Sequence, residues 1–259
     1  MPAGFPFPLR FAIPHTMKER LDIIVVRRGI AASRERARAL IMEGKVLVND
    51  RPATKAGSLV DATAPIELRG QDIPYVSRGG LKLEAAIEHF GVKLRDVTAM
   101  DVGCSTGGFT DCMLQKGAKK VYCIDVGYGQ LAWSIRNDPR VILIERTNIR
   151  YLSPDVIPDI IDVATIDLSF ISLKKVLTKV MEFMKKGGEI LALVKPQFEV
   201  GRSEVGKGGV IRDEQKREEA VASVKEHAEQ AGLQGIGLYP SPVLGQKGNR
   251  EYFLYLRNP

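Results

Sequence analysis

The chain has 259 residues, of which 44% are hydrophobic, and its formal net charge is +7. That hydrophobic share allows a substantial buried core, so the composition excludes a globally disordered protein. No apolar run approaches the roughly 18 residues of a membrane span, which argues against a transmembrane helix. The positive charge favours a polyanionic partner such as nucleic acid.

The excess of positive charge is concentrated near the start of the chain. Residues 17–69 hold eleven Lys and Arg against seven Asp and Glu, which is more than half of the net charge. This distribution predicts a dedicated basic module over residues 17–69. Residues 1–16 lack the basic start and long apolar stretch of a secretory signal, and we expect them to be a leader outside the fold.

The cysteine content argues against a metal site. Cys104, Cys112 and Cys123 form no Cys-x-x-Cys pair, and the chain has only three histidines. No zinc-ligand spacing is present, so we predict no metal. An odd number of cysteines with no pairing pattern indicates reduced thiols packed in a core, as is typical of a cytoplasmic protein.

The basic module has the pattern of a small α+β domain. Apolar spacing predicts a helix over Lys18–Arg28 and a second helix that Ser33 caps. Two short strands are expected, Val46–Val48 and the region after Arg51, joined by a turn at Asn49-Asp50. Ile66–Leu68 is expected to be a closing strand.

This order of elements, with the sequence SRERARALIMEGKVLVNDR, resembles the RNA-binding module first seen in ribosomal protein S-four. The resemblance covers residues 17–69. It implies that Arg34, Arg38 and Lys45 contact RNA phosphates, a task that suits the planar fork of arginine. A solvated helix face is the alternative that these residues leave open.

A linker over residues 70–77 is expected to lead into a second domain over residues 78–259. After a predicted helix at Leu81–Phe90, apolar strands alternate with helical stretches. The strands are Ala99–Val102, Lys120–Val126, Val141–Ile144, Ile160–Asp167 and Glu189–Lys195. Such alternation predicts a parallel sheet with helices on both faces.

The end of the chain departs from this alternation. Gly235–Tyr239 and Glu251–Leu256 are predicted strands with only a loop between them, which indicates an antiparallel hairpin. That ending suits the Rossmann-like sheet of a class I methyltransferase better than a plain dinucleotide-binding fold. The predicted fold class is therefore α/β of that kind, preceded by the small α+β module.

A glycine-rich loop follows the first strand of the predicted sheet and begins a helix. Its spacing, Gly-x-x-x-Gly-Gly, is neither the GxGxxG pattern of NAD-binding folds nor a P-loop. A pyrophosphate site would keep the helix N-terminus open to anions, whereas the carboxylate of Asp101 suits the sulfonium and ammonium of S-adenosylmethionine. The candidate cofactor-binding residues here are Asp101, Gly103, Ser105, Thr106, Gly107, Gly108 and Phe109.

Two further residues support a nucleoside-containing cofactor. Asp125 ends the next strand, where an acid can bond both ribose hydroxyls. Asn148 follows the third strand and is positioned either to hydrogen-bond the adenine or simply to form a turn. The loop, the acid and the strand alternation together predict S-adenosylmethionine, with NAD and a purely structural loop as the alternatives.

Four charged residues stand where parallel strands and a helix converge. Asp167 and Lys195 end two predicted strands, Glu251 begins the last one, and Lys82 lies early in a helix. Because ligands bind outside the carboxyl ends of parallel strands, we expect these groups to share one crevice beside the cofactor. A purely structural network of ion pairs is the alternative.

At these residues the chain resembles the FtsJ-like ribose methyltransferases, and its whole layout over residues 17–259 resembles the hemolysin-A (TlyA) family. The motifs are DVGCSTGGFTD, TIDLSFISL, LVKPQFE and GNREYF. The Lys-Asp-Lys-Glu tetrad of that family falls on Lys82, Asp167, Lys195 and Glu251. One departure is that residues 71–75 lack the Trp pair that some members carry.

The resemblance implies methylation of ribose 2′-hydroxyl groups in ribosomal RNA or ribosomal subunits, with cytidine as the expected nucleotide. A ribose hydroxyl must lose its proton as it attacks a methyl group. Lysine can accept that proton only when desolvation or a second cation lowers its pKa. We expect Lys195 to be the base, Asp167 to orient it, and Lys82 with Glu251 to hold the ribose.

Three other functions are the alternatives to this one. Pseudouridine synthases use an aspartate within Arg-Leu-Asp, but Arg20-Leu21-Asp22 falls in the predicted first helix of the basic module, where it cannot face a catalytic cleft. A pseudouridine synthase would also leave the glycine loop unexplained. A non-catalytic RNA-binding or ribosome-assembly factor would need no tetrad. The family's name suggests a membrane-active cytolysin, but the sequence has no transmembrane or secretory pattern and no long set of amphipathic strands to support that function. The sequence does not indicate an oligomeric state.

Overall fold

The computed structural model describes residues 17–31, 33–70, 72–201, 205–206 and 208–259. The predicted leader, residues 1–16, lies outside the described residues. The chain divides after Asp72 into two compact units, called here the N-terminal and the C-terminal unit. No helix in the described part of the chain is long and apolar enough to cross a membrane.

The N-terminal unit packs two helices against short antiparallel strands. Its elements are β1 (Lys18–Arg20), α1 (Leu21–Arg27), α2 (Arg34–Met42), β2 (Val46–Val48), β3 (Arg51–Pro52), β4 (Leu59–Asp61) and β5 (Ile66–Leu68). Strands β3, β2 and β5 form one sheet in that order, and β1 pairs with β4. The hydroxyl of Ser33 accepts a hydrogen bond from the backbone N–H of Arg36, which confirms the predicted cap of α2.

The predicted helix over Lys18–Arg28 is wrong at its beginning. Lys18–Arg20 is a strand that pairs with Leu59–Asp61, and α1 starts only at Leu21. A partner strand some forty residues along the chain decides this, because the antiparallel pairing satisfies backbone groups that a first helical turn leaves without partners. Sequence reasoning missed β4 altogether.

The C-terminal unit is an α/β fold with a seven-stranded sheet. Its helices are α3 (Gly79–Phe90), α4 (Gly108–Gln115), α5 (Trp133–Arg136), α6 (Leu177–Met181), α7 (Pro196–Glu199) and α8 (Glu214–Gln230). Its strands are β6 (Thr98–Val102), β7 (Lys120–Ile124), β8 (Val141–Ile144), β9 (Ile161–Ile166), β10 (Met184–Val194), β11 (Gln234–Pro240) and β12 (Tyr252–Arg257).

The strand order is β11-β12-β10-β9-β6-β7-β8, with β12 antiparallel to both of its neighbours and the remaining pairs parallel. The predicted terminal hairpin is thereby confirmed. The chain runs outward from β6 to β8 on one side and returns to β9 on the other. This reversal opens a crevice at the carboxyl ends of β6 and β9, where ligands bind in such sheets.

Alternating strand residues create a hydrophobic layer on each face of this sheet. In β6, Met100 belongs to the layer covered by α6 and α8, and Ala99 to the layer covered by α3, α4 and α5. Helices therefore lie on both faces, as predicted. All three cysteines are buried and free, which confirms the expected reduced core thiols.

Candidate active site

The glycine-rich loop turns sharply between β6 and α4. Gly103 has a φ of +88°, and a Cβ added there would lie 2.5 Å from the backbone oxygen of Asp167. Only glycine allows this approach, because any side chain would collide with the end of β9. Gly107, with a φ of +94°, forms the N-terminal boundary of α4. The loop is thus held against the strand end that carries Asp167.

Below this loop lies Asp101, which lines neither of the two cavities at this edge of the sheet. Its side chain is fully buried and accepts hydrogen bonds from the hydroxyls of Thr110, at 2.6 Å, and Thr165, at 3.1 Å. Burial, with a smaller contribution from Asp167, raises the pKa of Asp101 to about 7. The expected direct contact of this carboxylate with the cationic end of the cofactor would require Asp101 to become exposed, because its side chain is fully buried.

A cavity of about 310 Å³ opens at the carboxyl edge of the sheet and brings together all four residues of the predicted tetrad. Lys82 Nζ lies 2.6 Å from Glu251 Oε2, and both side chains are nearly buried, at 12% and 3% exposed. Lys195 Nζ forms an ion pair with Asp167 Oδ1, also at 2.6 Å. The four groups therefore form two lysine–carboxylate pairs that line the same cavity.

Strand register explains this convergence. Val194 of β10 pairs with Tyr252 of β12, so the residues just beyond them, Lys195 and Glu251, lie at the same edge. Glu251 precedes β12 by one residue instead of beginning it, which corrects the predicted boundary. Gly245 packs closely beside it: an added Cβ would lie 1.9 Å from Glu251 Oε1, so the Glu251 side chain would have to move.

The predicted loop residues divide between lining the cavity and shaping it. Gly103, Ser105, Thr106, Gly108 and Phe109 line it, whereas Gly107 is not among the lining residues. The ring of Phe109 also stacks against Phe253 of β12, with centroids 5.9 Å apart, so it anchors α4 to the sheet.

A second cavity, of about 180 Å³, adjoins the first one at Gly103 and Ser169. Asp125 and Asn148 line it, together with mainly apolar side chains. The two carboxylate oxygens of Asp125 accept hydrogen bonds from the backbone N–H groups of Ser105, at 2.8 Å, and Gly127, at 2.7 Å. Asn148 Oδ1 accepts from the backbone N–H of Arg150 and so caps a short 3₁₀ turn.

Sequence reasoning missed two polar residues on the segments that carry Asp167 and Lys195. Ser169 Oγ lies 3.0 Å from Lys195 Nζ and is positioned to accept its hydrogen bond. Glu199 accepts hydrogen bonds from Ser172 Oγ and the backbone N–H of Leu173. The only signal in the sequence is their presence in the motifs TIDLSFISL and LVKPQFE.

The predicted RNA-binding residues lie in the N-terminal unit and form ion pairs there. Arg34 and Arg38 both approach the buried carboxylate of Asp22, at 3.0 and 3.3 Å, while each keeps about half of its side chain exposed. Lys45 Nζ lies 2.8 Å from Glu43. The two arginines are therefore neither free in solvent nor fully buried.

Comparison with known families assigns both parts of the chain. Residues 75–258 match the FtsJ-like methyltransferase family, and residues 19–66 match the S4 domain, which is the S-four-like module expected from the sequence. The described residues contain no group of three or more His, Cys, Asp or Glu that could hold a metal ion.

Individual relatives extend the similarity over nearly the whole chain. The 16S/23S rRNA (cytidine-2′-O)-methyltransferase TlyA of Mycobacterium tuberculosis is 46% identical over 93% of this chain and 90% of its own length. Hemolysin A of Brachyspira hyodysenteriae is 40% identical over 91% of this chain and 98% of its own.

Solved structures agree with this assignment. A protein of Streptococcus thermophilus that carries the name hemolysin has a TM-score of 0.74 at 41% identity, covering 94% of this chain and 89% of its own. An S-adenosylmethionine-dependent methyltransferase from Listeria monocytogenes, at 18% identity and a TM-score of 0.53, shares the fold over 70% of this chain and 98% of its own. The chain therefore belongs to the TlyA family of FtsJ-like methyltransferases.

Proposed function

We propose that this protein transfers a methyl group from S-adenosylmethionine to ribose 2′-hydroxyl groups of ribosomal RNA, with cytidine as the target nucleoside. The observation that carries the proposal is the convergence of Lys82, Asp167, Lys195 and Glu251 on one cavity beside the glycine-rich loop. The names of the M. tuberculosis relative and of a 32% identical Campylobacter jejuni relative specify cytidine 2′-O-methylation of rRNA, which supports this choice of substrate.

The second cavity fits the nucleoside part of the cofactor. Its apolar lining, which includes Ile124, Ile149 and Leu168, suits the faces of an adenine ring. A carboxylate offers about four acceptor sites, two on each oxygen. The backbone N–H groups of Ser105 and Gly127 occupy one acceptor site on each oxygen of Asp125. Each oxygen thus keeps capacity for one ribose hydroxyl.

The first cavity fits the reacting groups. When bound, S-adenosylmethionine supplies a methyl group activated by its sulfonium. Lys195 accepts the proton of the ribose 2′-hydroxyl only in its neutral form, after the ammonium of its ion pair with Asp167 has released a proton to solvent. Asp167 holds the lysine in place. Lys82 and Glu251 position the ribose, so alignment of the reacting atoms contributes to the rate together with proton transfer.

The RNA partner is proposed from the N-terminal unit. An S4 domain with exposed arginines suits an RNA backbone, since guanidinium groups bind phosphate oxygens in pairs. Ribosomal RNA or a ribosomal subunit is the corresponding partner, and such a substrate implies a cytoplasmic protein.

The test combines the purified protein, tritiated S-adenosylmethionine and ribosomal subunits from cells that lack the gene. We expect label in rRNA, and mapping of ribose methylation should place it on cytidine 2′-oxygens. A protein that binds rRNA but neither binds the cofactor in calorimetry nor transfers label would be a non-catalytic factor, and the proposal would be wrong. Label on a base instead of a ribose would overturn the assigned chemistry.

A further inference from the structure

Three arginines surround one buried carboxylate in the N-terminal unit. Arg20 donates from Nε to Asp22 Oδ1 and from Nη2 to Asp22 Oδ2, both at 3.0 Å. Arg34 Nη2 and Arg38 Nε reach Asp22 Oδ2 at 3.0 and 3.3 Å. Asp22 itself is fully buried. We name Arg20, Arg34, Arg38 and Asp22 the arginine cluster.

The backbone places these side chains on one side of the unit. Asp22 lies in the first turn of α1, where its N–H donates to the backbone oxygen of Ala56. Arg34 and Arg38 are four residues apart on α2, so they project from the same face of that helix. Arg20 is the last residue of β1 and contacts both oxygens of the carboxylate.

The cluster has more positive charge than the buried carboxylate requires. One well-aligned arginine can neutralise a buried aspartate, and the bidentate contact of Arg20 already does so. The hydrogen bonds from Arg20, followed by those from Arg34 and Arg38, hold the pKa of Asp22 far below its usual range. Three cations against one anion leave a surplus of two positive charges.

That surplus faces solvent. The side chains of Arg20, Arg34 and Arg38 are 42%, 51% and 53% exposed while each contacts the same buried acid. By contrast, Lys45 is paired with Glu43, and Arg36 with Asp72, outside the cluster.

We propose that Asp22 is a positioning residue that holds Arg20, Arg34 and Arg38 as a preformed binding site for RNA phosphates. The inference rests on the proposed function, because RNA is the partner that this function requires. Free arginine side chains lose rotamer freedom when they bind a phosphate. Asp22 orders the three arginine side chains before RNA binds, so the entropy cost of ordering them is part of folding and does not weaken RNA binding. Arg20, which sequence reasoning did not select, joins Arg34 and Arg38 in contacting phosphate.

Replacing Asp22 separates positioning from simple charge. Asp22→Asn raises the net charge by one, so charge alone predicts tighter RNA binding. Loss of positioning predicts weaker binding, because an amide cannot hold three guanidinium groups together. Asp50→Asn is the matched control: it makes the same charge change in the exposed turn after β2, at a φ of +62° that asparagine tolerates.

The experiment measures binding of the full-length variants to deproteinised ribosomal RNA across a salt series. Asp22→Asn is expected to weaken binding by about tenfold, from renewed freedom in two or three arginines. It should also reduce the salt dependence, since each lost phosphate contact lowers the slope of log K against log salt by about one. Asp50→Asn should bind as tightly as the wild type or slightly tighter. An Asp22→Asn protein that binds like Asp50→Asn would overturn the proposal.

A second variant tests the phosphate site even if Asp22→Asn does not fold. Arg34→Gln/Arg38→Gln keeps the bidentate Arg20–Asp22 contact, so the buried charge remains neutralised. We expect weaker RNA binding and a smaller salt slope with an unchanged circular dichroism spectrum; unchanged binding would refute the cluster as a phosphate site. Methyl transfer to rRNA is measured separately from RNA binding. A wild-type protein that binds rRNA without methylating it contradicts the proposed function only, whereas variants that bind normally contradict the cluster only.

Discussion

Glu199 accepts a hydrogen bond from the hydroxyl of Ser172 at 2.5 Å, and its second oxygen accepts from the backbone N–H of Leu173 at 2.8 Å. Glu199 follows Lys195 by four residues, and Ser172 follows Asp167 by five. The carboxylate therefore joins the loop after β9 to the helix after β10, the two segments that carry the Lys195–Asp167 pair.

Removing this connection should loosen the pair. We expect Glu199→Ala to lower the free energy of unfolding by about 3 kcal/mol, because it removes two hydrogen bonds to a charged group and each contributes about 1.5–3 kcal/mol. It should also lower kcat while leaving cofactor affinity nearly unchanged, since Glu199 lines neither described cavity. Urea unfolding and single-turnover assays test this. Ser172→Ala, which removes one of the two bonds, should give an intermediate effect; a Glu199→Ala enzyme with normal kcat would contradict the positioning role.

Lys195 is the residue on which the proposed chemistry depends. Lys195→Ala should fold and bind both cofactor and RNA, yet transfer methyl groups about 10²–10⁴-fold more slowly, which is the typical contribution of a general base. Lys195→Arg should fail too, because a guanidinium does not release its proton in a protein. Single-turnover rates at several pH values provide the measurement.

Lys185→Ala is the matched control for Lys195. Lys185 also forms an ion pair with an aspartate, Asp162, at 2.7 Å, but near the start of β10 at the opposite end of the strand. Its loss should leave the methyl-transfer rate unchanged. Near-normal turnover by Lys195→Arg would show that positive charge alone is needed at this position, and the base would then be a different group.

Asp125 should contribute to cofactor affinity. Asp125→Ala removes two proposed bonds to ribose hydroxyls, each worth about 0.5–1.5 kcal/mol net, so affinity for S-adenosylmethionine should fall about tenfold. Asp155→Ala, which removes an exposed carboxylate from a 3₁₀ turn outside both cavities, should have no effect. Isothermal titration calorimetry compares the two, and equal affinities would count against the assignment of the ribose site.

Asp101 should make stability depend on pH. Its pKa is raised from 3.8 to about 7 in the folded protein, so the folded state holds a proton that the unfolded chain releases. Its favourable contribution is complete below pH 4 and is lost as pH rises to about 7, a change of about 4 kcal/mol in all. Unfolding in urea at several pH values should show this decline in the wild type and not in Asp101→Asn. Parallel curves for the two proteins would contradict it.

Much of the fold could be predicted because its signals are local. Ser33 caps α2 within three residues, Asn49 and Asp50 adopt the positive φ angles of a tight turn, and apolar runs mark the sheet strands. The candidate site was predictable to the extent that strand ends of a parallel sheet share one edge. That rule alone brings Asp167 and Lys195 to one crevice, before any side-chain geometry is considered.

Contacts between distant segments could not be predicted in this way. Lys18–Arg20 has no local feature that specifies a strand, and only its pairing with Leu59–Asp61 makes it one. Asp101 was expected in the cofactor site, but Thr110 and Thr165 bury it, and no spacing in the sequence indicates that these three side chains meet.

The amino-acid sequence by itself determined the order of the two units, the class of each fold and the glycine loop. These depend on periodicity, turn chemistry and motif spacing, which act over a few residues. The tertiary structure alone decided which charges pair: Lys82 with Glu251, 169 residues apart, and Asp22 with three arginines. Such pairings depend on how elements pack, because a buried charge takes whichever partner packing brings within reach.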